Sequence, residues 1–258
     1  MRWSGSLKLI LKLALAGAAC VALLASAGWW EARDLPSTSD LRAHLWDRFT
    51  RKGRSTWMPL WAISPKLQDA VVVWEDPMFY HHHGINFAET SRAFLEDVRA
   101  GEYRRGGSTI TQQVAKNLYL SPEKSLRRKF RETVLAYRLE HALTKDEILE
   151  IYLNVAEWGD GVAGAEAASR FYFFKSAEEL TWADAALLAA ILPSPVRFNP
   201  IENPQQALLR RQTVLRKLLE NGDLKSGEFR QASATPWRGH SLPFIPVPSA
   251  GQLGSARQ

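Results

Sequence analysis

The 258-residue sequence predicts a mainly α protein behind one N-terminal transmembrane helix. Three observations carry that prediction. Leu13 to Trp30 (LALAGAACVALLASAGWW) is a run of eighteen residues without a charge. From about residue 60 to 220, apolar residues recur at spacings of three and four between helix start and stop signals. No segment carries a convincing alternation of apolar and polar residues, so a strand set is not expected.

Arg2, Lys8 and Lys12 precede the apolar run, and Trp29–Trp30 close it. That fits a membrane span of roughly 17–25 residues with its basic end inside and its tryptophans at the far interface. A cleaved signal peptide competes, because Ala25-Ser26-Ala27 resembles a small-residue cleavage site. The single cysteine, Cys20, lies inside the run, so neither an internal disulfide nor a cysteine-based metal cluster can form. Apolar sequence continues well past Cys20, which argues against lipid modification there.

Residues 1–12 then read as a basic cytoplasmic N-terminus, 13–30 as the anchor and 31–60 as a connector. Residues 61–222 read as one domain, and 223–258 as a tail rich in Pro, Gly and Ser. With 46% hydrophobic residues, 23% charged residues and ten tryptophans, the chain is not a disordered protein.

Within the domain, Ser64-Pro65 offers an N-cap followed by proline at the first helical position. Leu67, Ala70, Val71 and Trp74 follow on one face, and Pro77 should end this helix near Asp76. Ser121-Pro122 is expected to open a second helix with Leu126, Phe130, Val134 and Tyr137 on one face. Thr144 and Glu147 form a capping box for KDEILEIYLN. Thr181 and Asp184 do nearly the same for WADAALLAAIL, which stops at Pro193.

Charge is unevenly spread. The formal net charge is +6, yet Arg99 to Arg131 alone carries +7, leaving about −1 elsewhere. A local basic patch implies an anionic partner such as phosphate, anionic lipid or nucleic acid; a solvated helix face is the plainer alternative.

Two stretches could carry chemistry. In VVVWEDPMFYHHHG, Glu75 falls at a helix C-terminus beside apolar residues. The helix dipole and partial burial both disfavour its anion, which suits a general base near neutral pH. An ordinary exposed helix-end glutamate is the competing view. Adjacent His81, His82 and His83 diverge rather than converge on one ion, and the remaining histidines show no ligand spacing. In RRGGSTITQQVAKNLYLSPEKSLRRKFRE, Gly106-Gly107 permits a close backbone approach. Ser108, Thr109, Thr111, Gln112, Gln113 and Lys116 suit a polyoxygenated ligand carrying phosphate, though no nucleotide P-loop is present. Arg128 and Lys129 precede Glu132 by four and three residues, a spacing that an ordinary surface ion pair would also produce. Ser121-Pro-Glu-Lys124 matches S-x-x-K, but Ser121 is better used as a cap, and no S-D-N occurs.

Together these blocks resemble the peptidoglycan glycosyltransferases, family 51, and most closely the monofunctional biosynthetic transglycosylases within it. The resemblance spans roughly residues 60–200. It rests on Glu75-Asp76-x-x-Phe79-x-x-His82-x-Gly84 and Gly107-Ser-Thr-Ile-Thr-Gln-Gln113 with Lys116-Asn117. It continues through Arg128-Lys129-x-x-Glu132 and Ile148-Leu-Glu-x-Tyr-Leu-Asn154 into Glu157-x-Gly159. Two departures stand out: Trp74 replaces a usually small residue, and Phe174 follows Tyr-Phe where a small residue is usual.

The resemblance implies a lysozyme-like, two-lobed, mainly α fold whose cleft faces the membrane. It implies polymerisation of lipid II, with Glu75 as general base and inversion at the anomeric carbon. Lys116, Arg128 and Lys129 would face the diphosphate, and Asp76, Ser108, Thr109, Gln112 and Gln113 would help bind substrate. Glu132, the second essential carboxylate, would position either those cations or a divalent ion (Mg or Mn), and no other cofactor is implied. The implied partners are lipid II, the nascent glycan, inner-membrane lipid and cell-division or wall-synthesis proteins, with no nucleic acid. The implied location is the bacterial inner membrane, single-pass, with the catalytic domain periplasmic. A transpeptidase domain, as in bifunctional relatives, would not fit in this length. A lysozyme-type lytic enzyme and a non-catalytic glycan-binding scaffold are the rival functions; the basic cluster argues against the first.

Overall fold

The structure is a computed structural model that describes residues 30–43, 57–86, 107–121, 125–159 and 161–237, with isolated positions 26, 28, 45 and 123. The expected anchor lies almost wholly outside the described residues. Among those described, no helix is long and apolar enough to cross a membrane.

The described residues are mainly helical, as expected. In chain order they form α1 (Thr38–Ala43), a 3-10 turn (Leu60–Ala62), α2 (Pro65–Glu75), α3 (Ile110–Tyr119), α4 (Leu126–Ala142) and α5 (Lys145–Val155). A short antiparallel hairpin follows, β1 (Glu157–Gly159) with β2 (Val162–Ala163). Then come α6 (Ala165–Phe173), a second 3-10 turn (Ala177–Glu179), α7 (Trp182–Ile191), α8 (Pro204–Asn221) and α9 (Ser226–Ala234).

The α7 helix is the centre. Ala183 and every residue from Ala185 to Ile191 are buried, as expected of a helix apolar on all sides. It packs against α8 and α2, while α3 packs against α4 and α5, so one continuous core joins the two groups. The capping boxes at Thr144 and Thr181 form as the sequence predicts, and α3 carries a third, Thr109 with Gln112. Ser64 occupies the N-cap position of α2, but its hydroxyl donates to Leu180 O at 3.1 Å instead of capping.

Two expectations for α4 need correction. The α4 helix starts at Leu126 with Ser125 as its cap, not at Ser121-Pro122, because Ser125 Oγ accepts the Arg128 amide at 3.0 Å. The face chosen from the sequence is the wrong one: Leu126, Phe130 and Tyr137 are 91%, 40% and 54% exposed. The buried residues are Glu132, Leu135, Ala136 and Leu139, a row whose polar member breaks the apolar pattern. The beginning of the tail is also ordered. Glu228 accepts the Lys225 amide at 3.0 Å at the start of α9, which packs on α8 and α7 with Leu224 and Ala232 buried. In the expected connector, Leu35 and Leu41 are buried in the core, while residues 37–40 are exposed.

The Ile148–Asn154 motif is a dock for the chain that enters α2. Glu150 accepts Trp57 Nε1 and the Leu60 amide, each at 2.8 Å. Asn154 accepts the Met58 amide and donates to Met58 O, also at 2.8 Å each. Phe174, the odd residue after Tyr-Phe, closes α6 in the left-handed conformation at φ 58°. A glycine there would avoid the strain that a Cβ brings.

Candidate active site

The α2 helix ends at Glu75, and Asp76 turns the chain. Residue 75 as a whole is half-buried, but its carboxyl group is enclosed. Gln113 Nε2 donates to Glu75 Oε2 at 2.7 Å, and Tyr152, buried on α5, donates its hydroxyl to Gln113 Oε1 at 3.3 Å. Those two bonds fix the Gln113 amide with its NH2 toward the carboxylate. Burial pushes the Glu75 pKa up and outweighs everything else. The Gln113 bond, then Lys116 and Arg210, pull it down, and Asp76 pushes it up. Burial, followed by Glu75 and Asp76, also lifts the Tyr152 phenol well above its ordinary value, so it remains a neutral donor.

Asp76 is buried and fully engaged. Its Oδ2 accepts the Ile110 amide at 3.0 Å, placing a carboxylate at the positive end of α3. His82 Nε2 lies 3.0 and 2.9 Å from its two oxygens, while His82 Nδ1 accepts the Gly84 amide at 3.1 Å. The imidazole proton therefore sits on Nε2 and donates to Asp76. Thr109 Oγ1 donates to Gly84 O at 2.7 Å and also accepts the Gln112 amide in the α3 capping box. Gly84 has φ +86°, and a Cβ there would lie 3.1 Å from Ala136 O. The turn after Glu75 is thereby locked to both α3 and α4.

On the other side of α3, Lys129 Nζ donates to Ser108 Oγ at 2.8 Å and to Glu132 Oε1 at 2.5 Å. The Glu132 side chain is 4% exposed and that of Lys129 38%. The pair is more than a solvated surface contact, because its carboxylate is inside.

The predicted site residues therefore divide. Glu75 meets Gln113 in the first turn of α3 with Lys116 one turn further on, while Ser108, just ahead of the same helix, meets Lys129 and through it Glu132. Arg128 is half-buried on the first turn of α4. Asp76, Thr109 and Gln112, expected to bind substrate, are buried and spend their polar atoms on the protein. Gln112 Oε1 accepts the Thr109 amide at 3.0 Å, and its Nε2 lies 3.4 Å from Thr133 Oγ1. They hold the site in shape.

Two residues near Glu75 escaped the sequence reading. Tyr152 stands in the Ile148–Asn154 motif, and its phenol could have been suspected from that. Arg210 comes from α8, and nothing in the local sequence marks it. Its Nε donates to Ala190 O at 2.8 Å, and its guanidinium lies 3.9 Å from the Phe198 ring centroid and 5.1 Å from that of Trp74. The unusual Trp74 is thus half of a cation–aromatic stack next to Glu75, with Lys217 Nζ 5.0 Å from the same ring.

An enclosed carboxylate with a raised pKa, with Lys116 and Arg210 close by, is an acid–base arrangement, and the comparisons with known proteins give its class. The chain belongs to the transglycosylase family, whose model matches residues 42–219. It is 39% identical over 238 residues to a provisionally named transglycosylase of Cupriavidus necator, covering 92% of this chain and 97% of that one. It is also similar to penicillin-binding protein 1A of Neisseria flavescens (47% over 166 residues, 64% of this chain) and of Aquifex aeolicus (44% over 168 residues, 65%). The chain spans only 21% and 23% of those two proteins. A crystal structure of penicillin-binding protein 1A from Haemophilus influenzae superposes on 52% of this chain and 17% of that one, with TM-score 0.36 and 27% identity. So loose a superposition carries no inference about shape. The chain is a glycosyltransferase.

Proposed function

We propose that this glycosyltransferase polymerises lipid II into β-1,4-linked peptidoglycan strands at the outer face of a bacterial inner membrane. The observation that carries the reading is the enclosed Glu75 carboxyl, held by Gln113 with Lys116 close by. Glu75 takes the proton from the acceptor sugar 4-hydroxyl. That oxygen attacks the anomeric carbon of the growing chain from the face opposite the diphosphate. The bond from carbon to diphosphate oxygen breaks, the lipid diphosphate leaves as the anion, and configuration inverts.

Each side chain has a place in this step. An enclosed carboxyl with a raised pKa is a stronger base than an exposed one, yet Gln113 keeps it oriented and ionisable. Developing charge on the diphosphate meets Lys116, Arg128 and Lys129, with the positive end of α4 adding to them at Arg128 and Lys129. Glu132 fixes the Lys129 ammonium, and Ser108 supports it from the other side. A divalent ion at Glu132 would have to share that carboxylate with the Lys129 ammonium. Among the described residues no three His, Cys, Asp or Glu side chains converge. The step is therefore written on side chains alone. The resemblance supports a lysozyme-like two-lobed shape and a membrane anchor in residues 13–30.

The test is incubation of the purified full chain with labelled lipid II. Polymer and released lipid diphosphate are expected. Cleavage of finished glycan without polymerisation would identify a lytic enzyme instead, and binding without turnover a scaffold.

A further inference from the structure

Residues 31–41, just ahead of position 42 where the family match begins, are folded onto α4. Leu35 and Leu41 are buried in the core, and α1 packs on α4. The polar contacts are dense. Arg138 Nη1 donates to Leu35 O and Pro36 O, each at 2.8 Å, and Nη2 to Ala32 O at 3.3 Å. Glu31 takes Arg127 through its carboxylate, and Arg131 Nη1 lies 3.4 Å from its carbonyl oxygen and 3.7 Å from its carboxylate. Tyr119, the last residue of α3, donates to Leu41 O at 3.2 Å. Arg127, Arg131 and Arg138 follow one another at spacings of four and seven, which places them on one stripe of α4. Lys129 and Glu132 lie on another face of the same helix.

We infer that residues 31–41 form a clasp that sets the position of α4, and through it the Lys129–Glu132 pair, with Arg138 as its main positioning residue. Arg138 touches no reacting group; it acts by joining three backbone carbonyls of the clasp to α4. A guanidinium can reach three carbonyls at once because its donors are fixed in a planar fork, which an ammonium lacks. The clasp thereby makes residues 31–41 part of the framework that positions Lys129 and Glu132. This rests on the proposed polymerisation only for its kinetic readout.

The experiment compares the full chain with Arg138→Ala, Arg138→Lys and Glu31→Gln. In Arg138→Ala, kcat per folded molecule should fall on the order of 10–100-fold, since displacements near 1 Å carry penalties of that size. KM should change less than kcat, and the acid limb of the pH profile, set by Glu75, should stay in place. Arg138→Lys and Glu31→Gln should fall between wild type and Arg138→Ala. Independently of any activity, amide exchange in α4 should accelerate in all three variants while α7 keeps its protection. Unchanged α4 exchange, or wild-type kcat per folded molecule alongside polymerising wild type, overturns the clasp. Should Arg138→Ala not fold, the two milder variants decide the question by the same readouts. A wild type that does not polymerise refutes the proposed function, and the exchange data still judge the clasp.

Discussion

Replacing Lys129 by Met removes the cation that meets Glu132 and leaves a carboxylate whose side chain is 4% exposed. Breaking a fully buried pair costs about 3–5 kcal/mol. Lys129 is 38% exposed, so water reaches the vacated position, and the cost here is nearer about 1–3 kcal/mol. For a domain of this size that is a Tm drop on the order of 3–10 °C. Adding Glu132→Gln removes the stranded charge, so the double variant should recover most of the lost stability while polymerisation stays low. Thermal unfolding of wild type, both single variants and the double variant closes the cycle. Additive destabilisation, or a Lys129→Met protein as stable as wild type, would show that Glu132 does not depend on Lys129.

Gln113→Ala deletes the bond that favours the Glu75 anion, so the acid limb of the pH–activity profile should move to higher pH; an unmoved limb counts against Glu75 as base. Phe174→Gly should stabilise by about 1 kcal/mol in a denaturation curve, because the left-handed conformation at φ 58° costs about that for a residue with a Cβ. Gly84→Ala should destabilise by about 1–2 kcal/mol or more, since its φ is +86° and the added carbon meets Ala136 O. A neutral result in chemical denaturation would mean the turn after Glu75 is looser than its hydrogen bonds suggest.

The sequence made the helical class legible because helix ends announce themselves: Thr144 and Thr181 cap where their spacing to Glu147 and Asp184 indicates. It also led to Glu75, because Pro77 ends α2 there. The phase of α4 was illegible. Glu132 interrupts the buried row and Phe130 fills the exposed one, so hydrophobicity alone points to the wrong face. Asp76, Thr109 and Gln112 are given protein partners by the fold, which residue type alone does not reveal, since polar side chains buried for structure and those exposed for binding are the same residue types. Only their partners distinguish them. Arg210 was invisible for a different reason: it reaches Trp74 across a long stretch of sequence, through the packing of α8 on α2.

The most direct test is the rate of lipid II polymerisation by Glu75→Gln, with thermal unfolding measured on the same sample across pH. The rate should fall on the order of 10²–10⁴-fold, the usual worth of a general base. Stability should go the other way. A carboxyl whose folded pKa is raised above its ordinary 4.5 binds its proton more tightly when folded. The cost of ionising it therefore enters as pH rises from the ordinary value through the folded one, and is complete above that. Glutamine cannot ionise, so the variant should be at least as stable as wild type at neutral pH, with any gain vanishing in acid. A variant that polymerises at the wild-type rate, or one inactive only because it unfolds at neutral pH, would contradict the assignment of Glu75 as the base.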